Sequence, residues 1–477
     1  MILKTTNLEE RKRDGIPISD LPWLMQDVVT ALRGLGLAYV WIDSLCILQD
    51  SSDDWQTEAA MMANVYSNAE VTIAATWCHG SGQSLFSSRK GDEFIDADIP
   101  GVGGRSPLMI RRSTPHFHWK NSTPEIQWDN ENSDSVPQLF STGNDSGGNV
   151  TAPPAKTLWP LLGRGWVYQE QWLSRRTLHF TEHELVWICS ETTACECSFY
   201  EFGKGSRHGP SAFNETRSWE WTGIVEQYSE RVFTQITDRL PALAGIATVH
   251  SDSQARGQYL CGLWSKELPK TLFWQSTNST VSPRPSITMP TWSWASVTGS
   301  IEFGYPDEEM QPKILDIHVS YKGRDIMGDV SQAVLRLEGL LVVGRALHGE
   351  KWRHVLTTEG KAIAETNPES SHGLEIDGRF STFVPDYAIG TPGKHFVPDD
   401  GPVACLLFSQ GTVMDVDPEH PENNRELNYV SGLVLRSISE GGSLYERIGF
   451  FAGSGFDDSF ELERLLAFAQ KREFTLV

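Results

Sequence analysis

Apolar positions change their period several times between residues 19 and 75. Leu21, Leu24, Met25, Val28 and Leu32 recur at helical spacing. Ser19 and Asp20 are cap candidates, Pro22 suits a first turn, and Gly34 and Gly36 end the pattern. The continuous apolar run Ala38–Ile42 follows, as expected of a strand buried on both faces. Ser51–Asp54 then offer caps for a helix carrying Trp55, Ala59, Met62, Val65, Tyr66 and Ala69 on one side, and a second apolar run, Val71–Ala75, comes next. Helix, strand, helix, strand with short links predicts a parallel sheet in an α/β layer.

Polar sequence without period, from about residue 112 to 157, predicts a flexible insertion. Pattern returns at Leu158, with a short helix over Trp166–Leu173. Strands Thr177–Phe180 and Glu184–Cys189 are then expected to pair across a Thr-Glu-His turn. Gly205–Ser218 reads as a loop and Trp219–Ile236 as a helix. Beyond Pro290 the apolar runs are short and rich in Val, Leu and Ile: Lys313–Tyr321, Ala333–Val343, Val403–Phe408, Gly432–Arg436 and Arg447–Phe451. Turn residues separate them, so a mainly β region is predicted, with polar connections over 350–400 and 410–428. An amphipathic helix over about Phe460–Lys471 closes the chain. The organisation expected is a core over 1–190 containing the insertion, a helical and loop extension over 191–300, and a mainly β region over 301–477.

Composition narrows the partners. With 477 residues and 39% hydrophobic positions, the chain has ample material for a core. A formal charge of −22 argues against nucleic acid or an anionic membrane as the main partner, since both are polyanions. The seven cysteines are scattered, which fits a reducing compartment better than a disulfide framework. Cys189, Cys195 and Cys197 lie near His183 but lack a paired C-x-x-C, so they read as strand cysteines rather than metal ligands. Residues 1–15 contain no apolar h-region, and no run approaches the roughly 20 residues of a membrane helix. A cytoplasmic protein without a membrane span is expected. Gly101-Val102-Gly103-Gly104 lacks the spacing of a phosphate loop.

Three blocks carry a family resemblance. The first is YVWIDSLCILQDSSDDWQTEAAMMANVYSNAEVTIAAT, Tyr39–Thr76, with SLFSSR trailing to Arg89. The second is GRGWVYQEQWLSRRTLHF, Gly163–Phe180. Looser segments follow: DRLPALAGIA (Asp238–Ala247), CGLW (Cys261–Trp264) and PTWSWASVTG (Pro290–Gly299). Together they resemble the heterokaryon-incompatibility (HET) domain proteins of filamentous fungi. The resemblance implies a TIR-like, flavodoxin-like parallel sheet core. It also implies action in non-self recognition and programmed cell death, with self-association or protein partners in incompatibility signalling. Family members usually begin with a strand ending in a Y-x-x-L-S-Y-x-W-G-like motif. Met1–Asn7 starts just after that point, so the implied sheet lacks its first, internal strand.

Glu58 is the leading catalytic candidate. It stands three residues after Trp55 and four before Met62, on the stripe expected to face the protein. A carboxylate there is costly to bury unless it is paired or lines a cleft. Position 55 is Trp, so Glu58 is not a capping-box glutamate. Two readings stay open: an ion pair with Arg164 or Arg89, or a catalytic or ligand-holding role. TIR-like NAD glycohydrolases place a glutamate near a D-W motif, and Asp54-Trp55-Gln56-Thr57-Glu58 looks similar. The resemblance thus implies NAD as a substrate, with no tightly bound cofactor. Such cleavage passes through an oxocarbenium-like state that one carboxylate can stabilise. The alternative is a non-catalytic oligomerising adaptor or an inactive truncated paralogue.

The remaining candidates each have a bland reading beside the functional one. Asp43 ends an apolar run, where open parallel sheets bind ligands; it either contacts a ribose or caps a turn, and Gln49 and Asp50 are read the same way. Arg164 and Arg175 suit a pyrophosphate or a carboxylate partner. Trp55 and Trp166 are counted with the ligand-binding candidates. Trp166 and the Trp292/Trp294 pair stack on a ring or pack in a core. Cys46 without a nearby base reads as a buried apolar cysteine.

Overall fold

Helical periodicity in the first third of the chain is realised as helices, but only some of its apolar runs become strands. The computed structural model describes residues 1–87, 92–97, 106–111, 159–196, 220–251, 253–277, 283–285, 289–321, 330–348, 372–376, 378–390, 393–415, 425–439, 442–456 and 459–477. The expected insertion at 112–157, the loop at 205–218 and Arg89 lie outside these residues, as does Cys197. The chain divides into two compact units, Met1–Trp219 and Glu220–Val477.

In the first unit, α1 (Leu8–Asp14) precedes α2 (Trp23–Gly34), which buries Met25 and Leu32. Gly36, at φ +73°, takes the left-handed conformation that turns the chain out of α2. A short α3 (Asp43–Cys46) is followed by α4 (Ser52–Asn68), and the Ser51 hydroxyl caps α4 by accepting from the Asp54 amide at 3.3 Å. Strand β1 (Thr72–Ala74) comes next, then a hairpin of β2 (Asp92–Ala97) and β3 (Ser106–Arg111). Helix α5 (Gly165–Leu173) leads into β4 (Arg176–Phe180), β5 (Leu185–Cys189) and β6 (Thr193–Cys195). The turn between β4 and β5 is held by Thr181, whose hydroxyl donates to the Glu184 carbonyl at 2.7 Å.

The sheet order is β1-β4-β5-β6. Only β1–β4 is parallel, with Thr72 opposite Thr177; β4–β5 and β5–β6 are antiparallel. The layer is therefore mixed, where a parallel sheet was predicted. A second correction concerns Ala38–Ile42, which forms no strand. Among the described residues no backbone hydrogen bond engages Ala38–Trp41, and Tyr39 is 93% exposed. Strands exist by pairing, and an apolar run without a neighbour has no ladder to join.

In the second unit, α6 (Trp221–Ser229), α7 (Ala244–His250) and α8 (Ser253–Arg256) precede two small pairs, β7–β8 (Tyr259–Leu260, Leu263–Trp264) and β9–β10 (Trp274–Ser276, Ile301–Phe303). Gly262 sits at φ +93°, and a Cβ there would lie 2.6 Å from Trp294 Nε1. Its carbonyl accepts from the indoles of Trp221 at 2.8 Å and Trp294 at 2.9 Å. The C-G-L-W motif is thus the hub of a tryptophan core.

The predicted β region is a barrel. Strands β11 (Lys313–Tyr321), β12 (Val330–His348), β13 (His372–Ile376), β14 (Arg379–Pro385), β15 (Gly401–Asp415), β16 (Arg425–Ser437), β17 (Leu444–Phe456) and β18 (Gln470–Leu476) share one sheet. Pairing runs β12-β13-β14-β17-β16-β15 and returns to β12, closing a ring. β11 and β18 add to β12, and β18 also pairs with β17. β13 and β14 fall where the sequence suggested polar connection. The closing helix α9 (Ser459–Phe468) stops before Lys471, which belongs to β18.

Candidate functional site

The first unit carries a groove of about 1040 Å³. That is at or above the upper end of the range for small-molecule sites, about 300–1,000 Å³. Its walls include α2, the unpaired stretch Ala38–Ile42, the Val71–Ala75 segment containing β1, and α5. Leu24, Val28, Trp41, Ile73 and Val167 make much of the lining apolar.

Charged and polar side chains come from three places. Asp43 opens α3 and is exposed; its Oδ1 accepts from the Ser44 amide at 2.6 Å. Tyr66 comes from the last turns of α4, with Trp41 edge-on to its ring at a centroid distance of 5.9 Å. Arg164, the residue before α5, is exposed, and Glu170 lies within α5. All five of these side chains line the groove. Glu170 keeps part of its surface open yet is densely surrounded, and desolvation raises its carboxyl to about 7. Hydrogen bonding with Tyr66 works in the opposite direction, the Asp43 charge raises the value further, and Arg164 lowers it. The Tyr66 phenol is pushed well up, first by desolvation and then by the charge of Glu170.

The other candidates stand elsewhere. Glu58 is half-buried on α4, outside the lining of this groove, and makes no ion pair with a described residue. Trp55 and Trp166 meet edge to face at 6.0 Å, so the sequence's two aromatic candidates pack on each other beside the groove-lining helices. Gln49 is bound into its turn: its side-chain amide donates to the carbonyls of Asp43 at 3.3 Å and Ile47 at 3.2 Å. Asp50 accepts from the amide and hydroxyl of Thr5 at 2.8 and 2.7 Å. Cys46, expected to be a buried apolar side chain, reaches the surface. Burial of its thiol, and then the charges of Glu58 and Asp43, push its pKa up, away from an activated thiolate. Trp292 and Trp294 are fully buried and serve as core.

Glu170 was missed in the sequence. Its signal was present: it stands three residues from each of Val167 and Leu173, both buried, the same stripe argument that drew attention to Glu58. Elsewhere in the sheet, His179 is 1% exposed and hydrogen-bonds the Thr76 hydroxyl at 2.9 Å; burial holds it down at about 3, so it is a neutral core group. Among the described residues no cluster of three or more His, Cys, Asp or Glu is arranged to hold a metal ion, and no helix is long and apolar enough to cross a membrane.

The groove draws on α2, α4 and α5, and residues of the W-I-D and R-G-W-V-Y-Q-E motifs line it. Residues 3–170 match the family model described as Heterokaryon incompatibility protein (HET). The chain carries a heterokaryon incompatibility domain over residues 3–170, and Asp43, Tyr66, Arg164 and Glu170 all fall inside the matched stretch. No curated protein and no solved structure matches the chain.

Proposed function

We propose that the protein acts in fungal non-self recognition and programmed cell death, and that its HET domain does so by cleaving NAD in the groove of the first unit. The observation that supports this reading is the meeting in one large cavity of two carboxylates, an indole and a guanidinium that forms no ion pair with a described residue. Breaking the bond between nicotinamide and ribose leaves positive charge on the ribosyl carbon. Asp43 and Glu170 supply the negative field that favours that charge, and Arg164 offers a fork to the pyrophosphate. Trp41 gives a face for a ring. The TIR-like ancestry implied by the sequence belongs to the same proposal.

A second reading, assembly without catalysis, is favoured by the other character of the same region. β1 has a partner only on its β4 side among the described residues, and Ala38–Val40 are exposed and unpaired. Such an edge can accept a strand from another chain.

One experiment separates the two. Purified full-length protein, alone and forced to oligomerise, is incubated with NAD and assayed for nicotinamide, and cell killing is scored in parallel. The catalytic reading expects release that is lowered, though still measurable, in a groove variant such as Asp43→Asn, with killing lowered alongside; comparison with Glu58→Gln shows which carboxylate matters. Killing that survives these substitutions, with no NAD turnover, sinks the enzyme and leaves the scaffold.

A further inference from the structure

Glu170 is an unusual carboxyl for a structural residue. It forms no ion pair with any described residue, and Tyr66 is its hydrogen-bonding partner at the side chain. Crowding a carboxyl with one neutral donor costs stability, so a fold optimised only for stability would place an apolar residue or a salt bridge here. Three features put it at the working end of the groove instead. It lines the cavity, it is on a helix, and Asp43 and Tyr66 act on it from two other segments while Arg164 does so from the start of its own helix.

We propose that Glu170, presented to the groove by Tyr66, is the proton acceptor in ribosyl hydrolysis, taking a proton from the water that attacks the anomeric carbon. The proposal rests on the NAD-cleavage reading and deepens it. In the step, the bond from the anomeric carbon to the pyridinium nitrogen breaks, and its electron pair neutralises the ring, so nicotinamide leaves without needing a proton. Water oxygen forms the new bond to the same carbon. One water proton passes to the Glu170 carboxylate and from there to solvent, regenerating the base. The Asp43 carboxylate, which lines the same groove, stabilises the positive charge as it develops on the ribose. An acceptor near 7 suits this work at neutral pH, because it is substantially ionised yet basic enough to hold the proton.

Every charged or titratable group acting on Glu170 predicts a direction. Tyr66 stabilises the carboxylate, so Tyr66→Phe moves the acceptor's pKa up. Asp43 destabilises it, so Asp43→Asn moves the pKa down. Arg164 stabilises it and moves with Tyr66.

The test is the pH profile of nicotinamide release from NAD by the full chain between pH 5 and 9. Wild type is expected to show an ascending limb with an apparent pKa of about 7. Glu170→Gln is expected to lower the rate at pH 8 by about 100-fold or more and to flatten that limb. Tyr66→Phe should shift the limb to higher pH and recover its rate in alkaline solution, while Asp43→Asn should shift it to lower pH whatever it does to the plateau. A structural role for Tyr66 predicts a uniform loss with no shift. Circular dichroism checks each fold, and if Glu170→Gln unfolds, the two opposed shifts decide. A Glu170→Gln variant with the wild-type rate and limb, or a limb unmoved by both neighbours, overturns the step while the NAD reading stands. A folded wild type that releases no nicotinamide overturns that reading and the step with it.

Discussion

The two units treat exposed edges and buried charge in opposite ways. In the second, the ring of β12-β13-β14-β17-β16-β15 gives every barrel strand partners on both sides. Its charged centre holds a buried, directly bonded ion pair. Arg447 and Asp386 have fully buried side chains and bond through two contacts, Nε to Oδ2 at 2.9 Å and Nη2 to Oδ1 at 3.1 Å. The same guanidinium donates to the carbonyls of Leu272, at 2.8 Å, and Trp274, and lies 3.3 Å over the Trp274 ring. Among the described residues of the first unit, β1 has no partner on one side, Ala38–Val40 face solvent, and Glu170 sits crowded with a phenol for company. Satisfied polar networks fix a structure; under-satisfied ones are where chemistry or partners are expected. The contrast agrees with the proposal that puts the chemistry in the HET domain.

The largest effect that could break this contrast lies at the barrel's charge node. Arg447→Met leaves Asp386 with only the longer 4.0 Å ion pair to Arg284 and removes donors from two carbonyls. Breaking a buried pair in this way costs about 3–5 kcal/mol. Chemical denaturation of the full chain should show the second unit's transition moving by that amount, with the HET domain's transition unmoved. A loss below about 1 kcal/mol would mean that water replaces the arginine, and that the node is not the sealed centre the structure describes.

A smaller effect, spread over pH, probes the sheet of the first unit. His179 is neutral in the fold at about 3, against an ordinary value of 6.5. Between those values the unfolded chain binds a proton that the folded one refuses. Stability therefore falls as pH drops through 6.5 and is fully lost, by a few kcal/mol, below about 3. His179→Gln keeps a polar partner for Thr76 and removes the titration. Its thermal midpoint should depend less on acid than that of wild type, measured from pH 7 down to 4. Equal acid sensitivity in both would move the cause to the carboxylates.

How much of this was legible in the sequence depends on whether the signal was local. Helices α4 and α5 and the β4–β5 hairpin were readable, because period, caps and turn chemistry lie within a few residues of one another. β13, β14 and β18 were not. His372–Ile376 and Arg379–Pro385 are short and mix polar with apolar residues, and although they pair with each other across a tight turn, their other partners, β12 and β17, lie farther along the chain. Ala38–Ile42 misled for the same reason in reverse: its composition reports what burial would suit it, and only the rest of the fold decides whether a neighbour exists. At the site, Asp43 and Arg164 were named and do share the groove. Glu170 stands on the same kind of apolar stripe that marked Glu58, but its neighbours Tyr66 and Asp43 come from other segments, and that meeting is not written in the spacing of one helix.

The smallest effect is the sharpest on the open side of the comparison. Tyr39 is 93% exposed in a stretch with no backbone partners, so replacing it should leave the isolated chain unharmed. Tyr39→Lys is expected to change stability by no more than about 0.5 kcal/mol, as for other surface substitutions, in thermal melts of monomer. The lysine also places a charge on an edge that assembly would cover, so any self-association through this region should weaken at the same time, read by light scattering against concentration. The informative failure is a large loss of stability in the dilute monomer. It would mean that Ala38–Ile42 is paired in solution, as its apolar run predicted, and that the first unit closes its sheet after all.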